Sequence, residues 1–214
     1  MKLKFSEINL MNKKQSGFTL IEIAIVLVII GLLLGGVLKG QEMITNGKIK
    51  RAVNDFDGIS AAYYSYLDRY AAFPGDDPNA NARWAGDAVS GDGNGLVDTG
   101  VWHNPPGALE TDHFWLHLRL SGLVSGGTLV ADGGFARPLS SVGGVMGVQD
   151  GNFNLSGAVA CMGPMDGKLA AIIDTQMDDG NAQAGSMRGH TAATSANQDT
   201  AYVIGTSGYI CIQL

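Results

Sequence analysis

Few residues in this 214-residue chain combine types and spacings that could do chemistry. Asp92-Gly93-Asn94-Gly95-Leu96-Val97-Asp98 alternates oxygen-bearing side chains with glycine. That is the front of a calcium loop, in which hard oxygen ligands surround a residue that permits a sharp turn. Aligned on Gly95, the first and last ligand positions fall on Ser90 and Val101, neither a carboxylate, so Asp87 and Asp98 would have to substitute. Two readings stay open: a structural calcium held by Asp87, Asp92, Asn94 and Asp98, or a metal-free Asx/Gly turn. Asp178-Asp179-Gly180-Asn181 poses the same choice. His113 and His117 stand four apart, a spacing that can ligate zinc, but no His-Glu-x-x-His pattern and no obvious third ligand go with them. Packing or surface histidines are the plainer reading. Cys161 and Cys211 are the only cysteines, too few for a four-Cys zinc site. No Gly-x-Ser-x-Gly elbow, phosphate-binding Gly-x-x-x-x-Gly-Lys, Cys-x-x-Cys or dinucleotide fingerprint is present, so no enzyme and no catalytic residue is expected.

The elements that would carry these residues differ sharply in texture. The chain is 45% hydrophobic, 16% charged and carries a formal charge of −6. That hydrophobic content excludes a disordered chain, and the acidic balance argues against a nucleic-acid binder. Phe18 to Leu38 is one apolar run whose single charge is Glu22. About 20 such residues suffice to cross a bilayer as a helix. In front of it lie Lys2, Lys4, Lys13 and Lys14. The run is too long for a signal peptide's apolar core, and no A-x-A-like site follows it. No proline occurs before Pro74, and Ile49, Val53, Phe56, Ser60, Tyr63, Leu67 and Tyr70 recur at steps of four and three. This spacing predicts that the helix continues to Tyr70 as an amphipathic stalk. Phe18 to Tyr70 would span roughly 80 Å at 1.5 Å per residue.

The string Lys13-Lys14-Gln15-Ser16-Gly17-Phe18-Thr19-Leu20-Ile21-Glu22 resembles the cleavage and methylation site of type IV pilins and type II secretion pseudopilins. The resemblance implies that a prepilin peptidase cuts between Gly17 and Phe18 and that Phe18 is then N-methylated. It also explains an otherwise odd carboxylate, since an acid deep in a membrane helix costs about 3 kcal/mol on insertion scales. In that family the matching glutamate pairs with the N-terminal amine of a neighbouring subunit as the filament grows. Phe18, Thr19 and Glu22 are thus implied as assembly residues. The implied fold class is α+β and pilin-like: a long N-terminal helix packed on a small glycine-rich head with an antiparallel β-sheet. The implied organisation is a leader peptide at 1–17, a transmembrane or filament-core helix at 18–38, an amphipathic stalk at 39–70 and an extracytoplasmic head at 71–214. Implied partners are further copies of the chain, other pilin-like subunits, the prepilin peptidase and the inner-membrane assembly machinery. The implied location is the bacterial inner membrane, then a pilus or a periplasmic pseudopilus. The family's usual proline in the lipid-embedded run is missing, as in many pseudopilins. Gly31, Gly35, Gly36 and Gly40 stand there instead.

The head is expected to start with the turn Phe73-Pro74-Gly75-Asp76-Asp77-Pro78. Trp84 reads as a packed aromatic. Thr111 to Leu123 reads as a short helix capped by Asp112 or Thr111 and stopped by Gly122. Strands are expected at Gly127–Val130, Gly144–Val148, Phe153–Leu155 and Ala201–Ile204, and Leu169–Met177 is either helix or strand. Together, Phe-Pro-Gly-Asp-Asp, Gly-Asp-Gly-Asn-Gly and Trp-x-His-Leu-Arg resemble one branch of bacterial pilin-like proteins. Outside the cytoplasm Cys161 and Cys211 can pair, a staple common in pilins, or stay as two buried thiols. Asn154-Leu155-Ser156 is formally a glycosylation sequon. A rival reading of the whole chain is an unprocessed, single-pass, membrane-anchored module that binds a cation or another ligand.

Overall fold

A computed structural model describes residues 17–85, 87–98, 100–103, 107, 109–129, 134–195 and 201–214. The expected leader, except Gly17, lies outside them, as does Val130. The chain divides into two units, the first ending at Ile44 and the second running Thr45–Leu214.

Helix α1 runs Leu20–Tyr70 without a break. Its apolar run is exposed throughout and is long and apolar enough to cross a membrane. In the second unit α1 buries Ile49, Ala52, Phe56, Ile59, Ala62, Tyr63 and Tyr66. The buried stripe is thus rotated from the expected one. Ile49, Phe56 and Tyr63 are kept, while Val53, Ser60, Leu67 and Tyr70 are only half-buried. Ala52, Ile59, Ala62 and Tyr66 take the centre, where small side chains permit close approach and Tyr66 has a hydrogen-bond partner in Asp77.

Two helices follow, α2 (Ala80–Arg83) and α3 (Glu110–Leu120). The start of α3 corrects the expected cap. Leu109, which has no polar side-chain atom, is the N-cap, while Asp112 lies within the helix and its carboxylate is taken by Arg137 and the Gly107 N–H. The end matches the expectation. Gly122, at φ 74°, donates to Arg119 O, and Leu123 N–H donates to Leu118 O, closing a Schellman motif.

The remaining elements are β1 (Val145–Asn152), β2 (Leu155–Asp166), α4 (Gly167–Met177), β3 (Met187–His190) and β4 (Ser207–Gln213). The strands form one antiparallel sheet in the order β1-β2-β4-β3. Side chains alternate across it, as a period of two requires. Ala160, Met162 and Ile210 face the core built with α1, α3 and α4, whereas Val159, Cys161 and Cys211 face a smaller core under Trp102 and Phe153. Gly147 lies on the second face because the backbone of Trp102 crosses there; a Cβ at 147 would come within 2.5 Å of Trp102 O.

Three expected strands are corrected. Phe153 and Asn154, at φ 51° and 61°, form the tight turn between β1 and β2, and burial of the Phe153 ring holds this conformation in place of glycine. Gly127–Leu129 forms no strand; Leu129 O accepts the Gly134 N–H instead. Ala201–Ile204 is a loop, drawn onto α4 by the Tyr202 hydroxyl bonded to Asp174. Leu169–Met177 is helical, within α4, where the Asp166 side chain caps the start.

Cys161 and Cys211 form a disulfide directly across β2 and β4. Closing a chain segment of 50 residues contributes about 4 kcal/mol in the chain-entropy account.

Candidate functional site

The N-terminal segment comes first. Gly17, Phe18 and Thr19 precede the helix and are non-helical. Thr19 N–H and Thr19 Oγ1 both donate to Glu22 Oε2 at 2.8 Å, and Glu22 N–H returns to Thr19 Oγ1 at 3.3 Å. This is a capping box: a Thr at the N-cap and a Glu three residues on satisfy each other's orphan donors. Thr-Leu-Ile-Glu therefore has a local job that the sequence reading missed, although the Thr-x-x-Glu spacing carries the signal. Phe18 is 83% exposed, and the apolar face beyond it is bare.

The second feature is the acidic turn region of the head. Asp76, from the turn after α1, is buried. Its Oδ1 accepts the N–H of Gly93 at 2.6 Å and Asn94 at 3.1 Å, and its Oδ2 accepts that of Gly95 at 2.8 Å. Glu110, at the start of α3, accepts the N–H groups of Asp92 and Asp98. Asp76, Asp92 and Glu110 form one carboxylate group with ligand atoms within 4.8 Å of one another. Burial holds the Asp76 carboxyl above its ordinary range, against the pull of the Gly95 and Gly93 amides. Of the four residues expected at a calcium site, Asp92 lies in this group. The Asn94 amide reaches both Asp92 and Asp98, and Asp87 is not in the group. Asp76 and Glu110 were not among the expected residues; the signal was Asp76 within the turn motif.

A second acidic group joins Asp174, Asp178 and Asp179 at the end of α4. Asp174 is buried, which raises its pKa, and it accepts from Tyr202 Oη and the Gly180 N–H.

Next to Asp76 in the chain, Asp77 is fully buried. Burial alone would push its carboxyl up. Bonds from Arg83, from Tyr66 Oη at 2.7 Å and from the Asn79 N–H outweigh this and hold it below its usual value. His113 and His117 lie inside the protein, not on its surface, and Trp84 packs half-buried between Tyr70 and His117.

Asn152 faces the disulfide. Its Nδ2 lies 3.2 Å from Cys211 Sγ and donates to Ala193 O, and its Oδ1 accepts the Ser195 N–H.

Comparison with known proteins returned one positive result. Residues 12–38 match the family model of the prokaryotic N-terminal methylation motif. No curated protein and no solved structure matched the chain. The matched segment takes in Gly17, Phe18, Thr19 and Glu22 and most of the apolar run. With an exposed apolar helix leading into a four-stranded antiparallel head, this chain bears the signature of type IV pilins and pseudopilins on a pilin-like α+β architecture.

Proposed function

We propose that this chain is a structural, non-enzymatic subunit of a type IV pilus or a type II secretion pseudopilus. In this reading it enters the inner membrane through the apolar part of α1. It is cleaved after Gly17, methylated on the new amine of Phe18, and polymerises through the same helix with copies of itself or related subunits. The methylation motif at 12–38 carries the proposal. The geometry supports it in two ways: the Gly17–Phe18 bond lies outside the helix, and the apolar face that follows is bare. Cleavage would place a cationic amine one residue before the capping box. A second subunit's Glu22 could then meet it in a low-dielectric setting, where such a pair is strongly favourable once both groups are already there.

Mass spectrometry of the N-terminus, on protein made with a prepilin peptidase, tests the reading. The expected product begins at N-methylated Phe18. An intact leader, or a cut elsewhere, would refute it and favour the unprocessed anchored module. Glu22→Ala should be processed yet fail to enter filaments; normal incorporation would end the proposed assembly role.

A further inference from the structure

The imidazole stack on α3 lies outside the N-terminal segment that the proposed function uses, and its chemistry is directional. His117 is fully buried. Its Nδ1 accepts the Gly75 N–H at 3.0 Å, and its Nε2 faces the Val89 carbonyl oxygen at 2.8 Å. Both bonds exist together only when Nε2 carries the proton and Nδ1 the lone pair, which is one tautomer of the neutral ring. A single side chain thereby fastens the turn after α1 and the loop after α2 onto α3.

His113, one turn earlier, is 3% exposed. It stacks on His117 at 6.0 Å and meets Phe135 in a tilted contact at 5.5 Å, and neither of its nitrogens has a hydrogen-bond partner among the described residues. A protonated imidazole must donate from both nitrogens. The groups facing the pair have little to offer. In the turn, Asp77 is engaged by Arg83, Tyr66 and Asn79. On α3 itself, Asp112 is engaged by Arg137 and Gly107. Tyr66 of α1 and Trp84 present rings, and Arg83 adds like charge.

We propose that this pair is an acid-released latch. Protonation of the His113–His117 stack frees the Phe73–Arg83 turn and helix from α3, while the disulfide-linked sheet stays folded. Burial already holds both rings below the ordinary imidazole range, His117 at about 4 against 6.5. The folded form therefore binds fewer protons than the opened form. Stability present at neutral pH is lost as pH falls through about 6.5 towards 4. Across that window His117 alone shifts the opening equilibrium by about a hundredfold.

Hydrogen exchange of the full chain in detergent micelles, corrected for intrinsic rates, tests this between about pH 7 and pH 4.5. Amides of 73–83 and 110–120 should gain exchange about tenfold or more, with β2 and β4 unchanged. A uniform rise that includes the sheet, or no rise, would overturn the latch. His113→Phe removes one proton site, loses no hydrogen bond and keeps the stack. It should move opening to lower pH and make it less steep; an unchanged midpoint would overturn the pair's role. Should that variant not fold, imidazole nitrogen NMR of the unaltered chain decides. Protonation concurrent with opening supports the latch, and imidazolium in the closed form overturns it.

Discussion

Asp92-Gly93-Asn94 and Asp179-Gly180-Asn181 have the same three residues and nearly the same local geometry. In each, the Asp accepts the N–H of the Asn, at 2.9 and 2.8 Å, and the Asn accepts the N–H two residues on, at 2.7 and 3.1 Å. Both glycines sit at φ 77° and point their N–H at a buried carboxylate, Asp76 or Asp174. The difference lies in where the other carboxylates originate. The first group gathers Asp76 from the turn after α1 and Glu110 from α3, so the loop ties together distant segments. The second draws Asp174, Asp178 and Asp179 from one helix end and closes a local corner, with Asp178 also accepting the Met187 N–H. A third copy, Asp150-Gly151-Asn152, ends β1 and turns its Asn onto the disulfide. The tripeptide thus favours a bend, while its surroundings decide what the bend holds.

Substitutions can break this comparison. Asp76→Ala leaves the Gly93 and Gly95 N–H groups without this acceptor and the Asn94 N–H with Asp92 alone, and should cost about 2 kcal/mol at roughly 1 kcal/mol each, read by chemical denaturation. A cost below that of Asp174→Ala would remove the distinction between a long-range tie and a local one. Tyr202→Phe removes one hydroxyl from Asp174 and should cost about 1 kcal/mol, with loosening confined to the loop before β4 when followed by hydrogen exchange. The smallest effect concerns calcium, one of the two readings the sequence leaves open at the first loop, and decides between them. On the calcium reading, added calcium raises Tm slightly, Asp92→Asn abolishes the gain and Asp179→Asn leaves it; no rise in Tm favours the metal-free turn. Equal loss from both variants would show that the two loops are chemically alike.

Much of the chain's organisation is legible because it is local. The methylation motif, the unbroken α1 and the Gly122 stop follow from residue types a few positions apart. The rotation of the buried stripe towards Ala52, Ile59 and Tyr66 is not. It depends on which face meets the sheet and on a hydrogen bond from Tyr66 to Asp77. Ala201–Ile204 reads as a strand from its apolar residues, yet Tyr202 uses its hydroxyl on Asp174 and the backbone stays out of the ladder. Spacing leaves His113 and His117 as packing or surface residues; burial of α3 from Glu110 to Arg119 decides for packing.

The sequence by itself determined the N-terminal methylation motif, the single carboxylate in the apolar run and the two cysteines available to pair. Each is a matter of order along the chain, and short-range physics suffices to read it. Only the tertiary structure decided that Cys161 and Cys211 face each other across β2 and β4, that Asp76 and Glu110 join Asp92, and that His117 holds two loops at once. These outcomes depend on strand register and helix packing. Such long-range contacts form only when burial of apolar surface offsets the entropy of closing long loops.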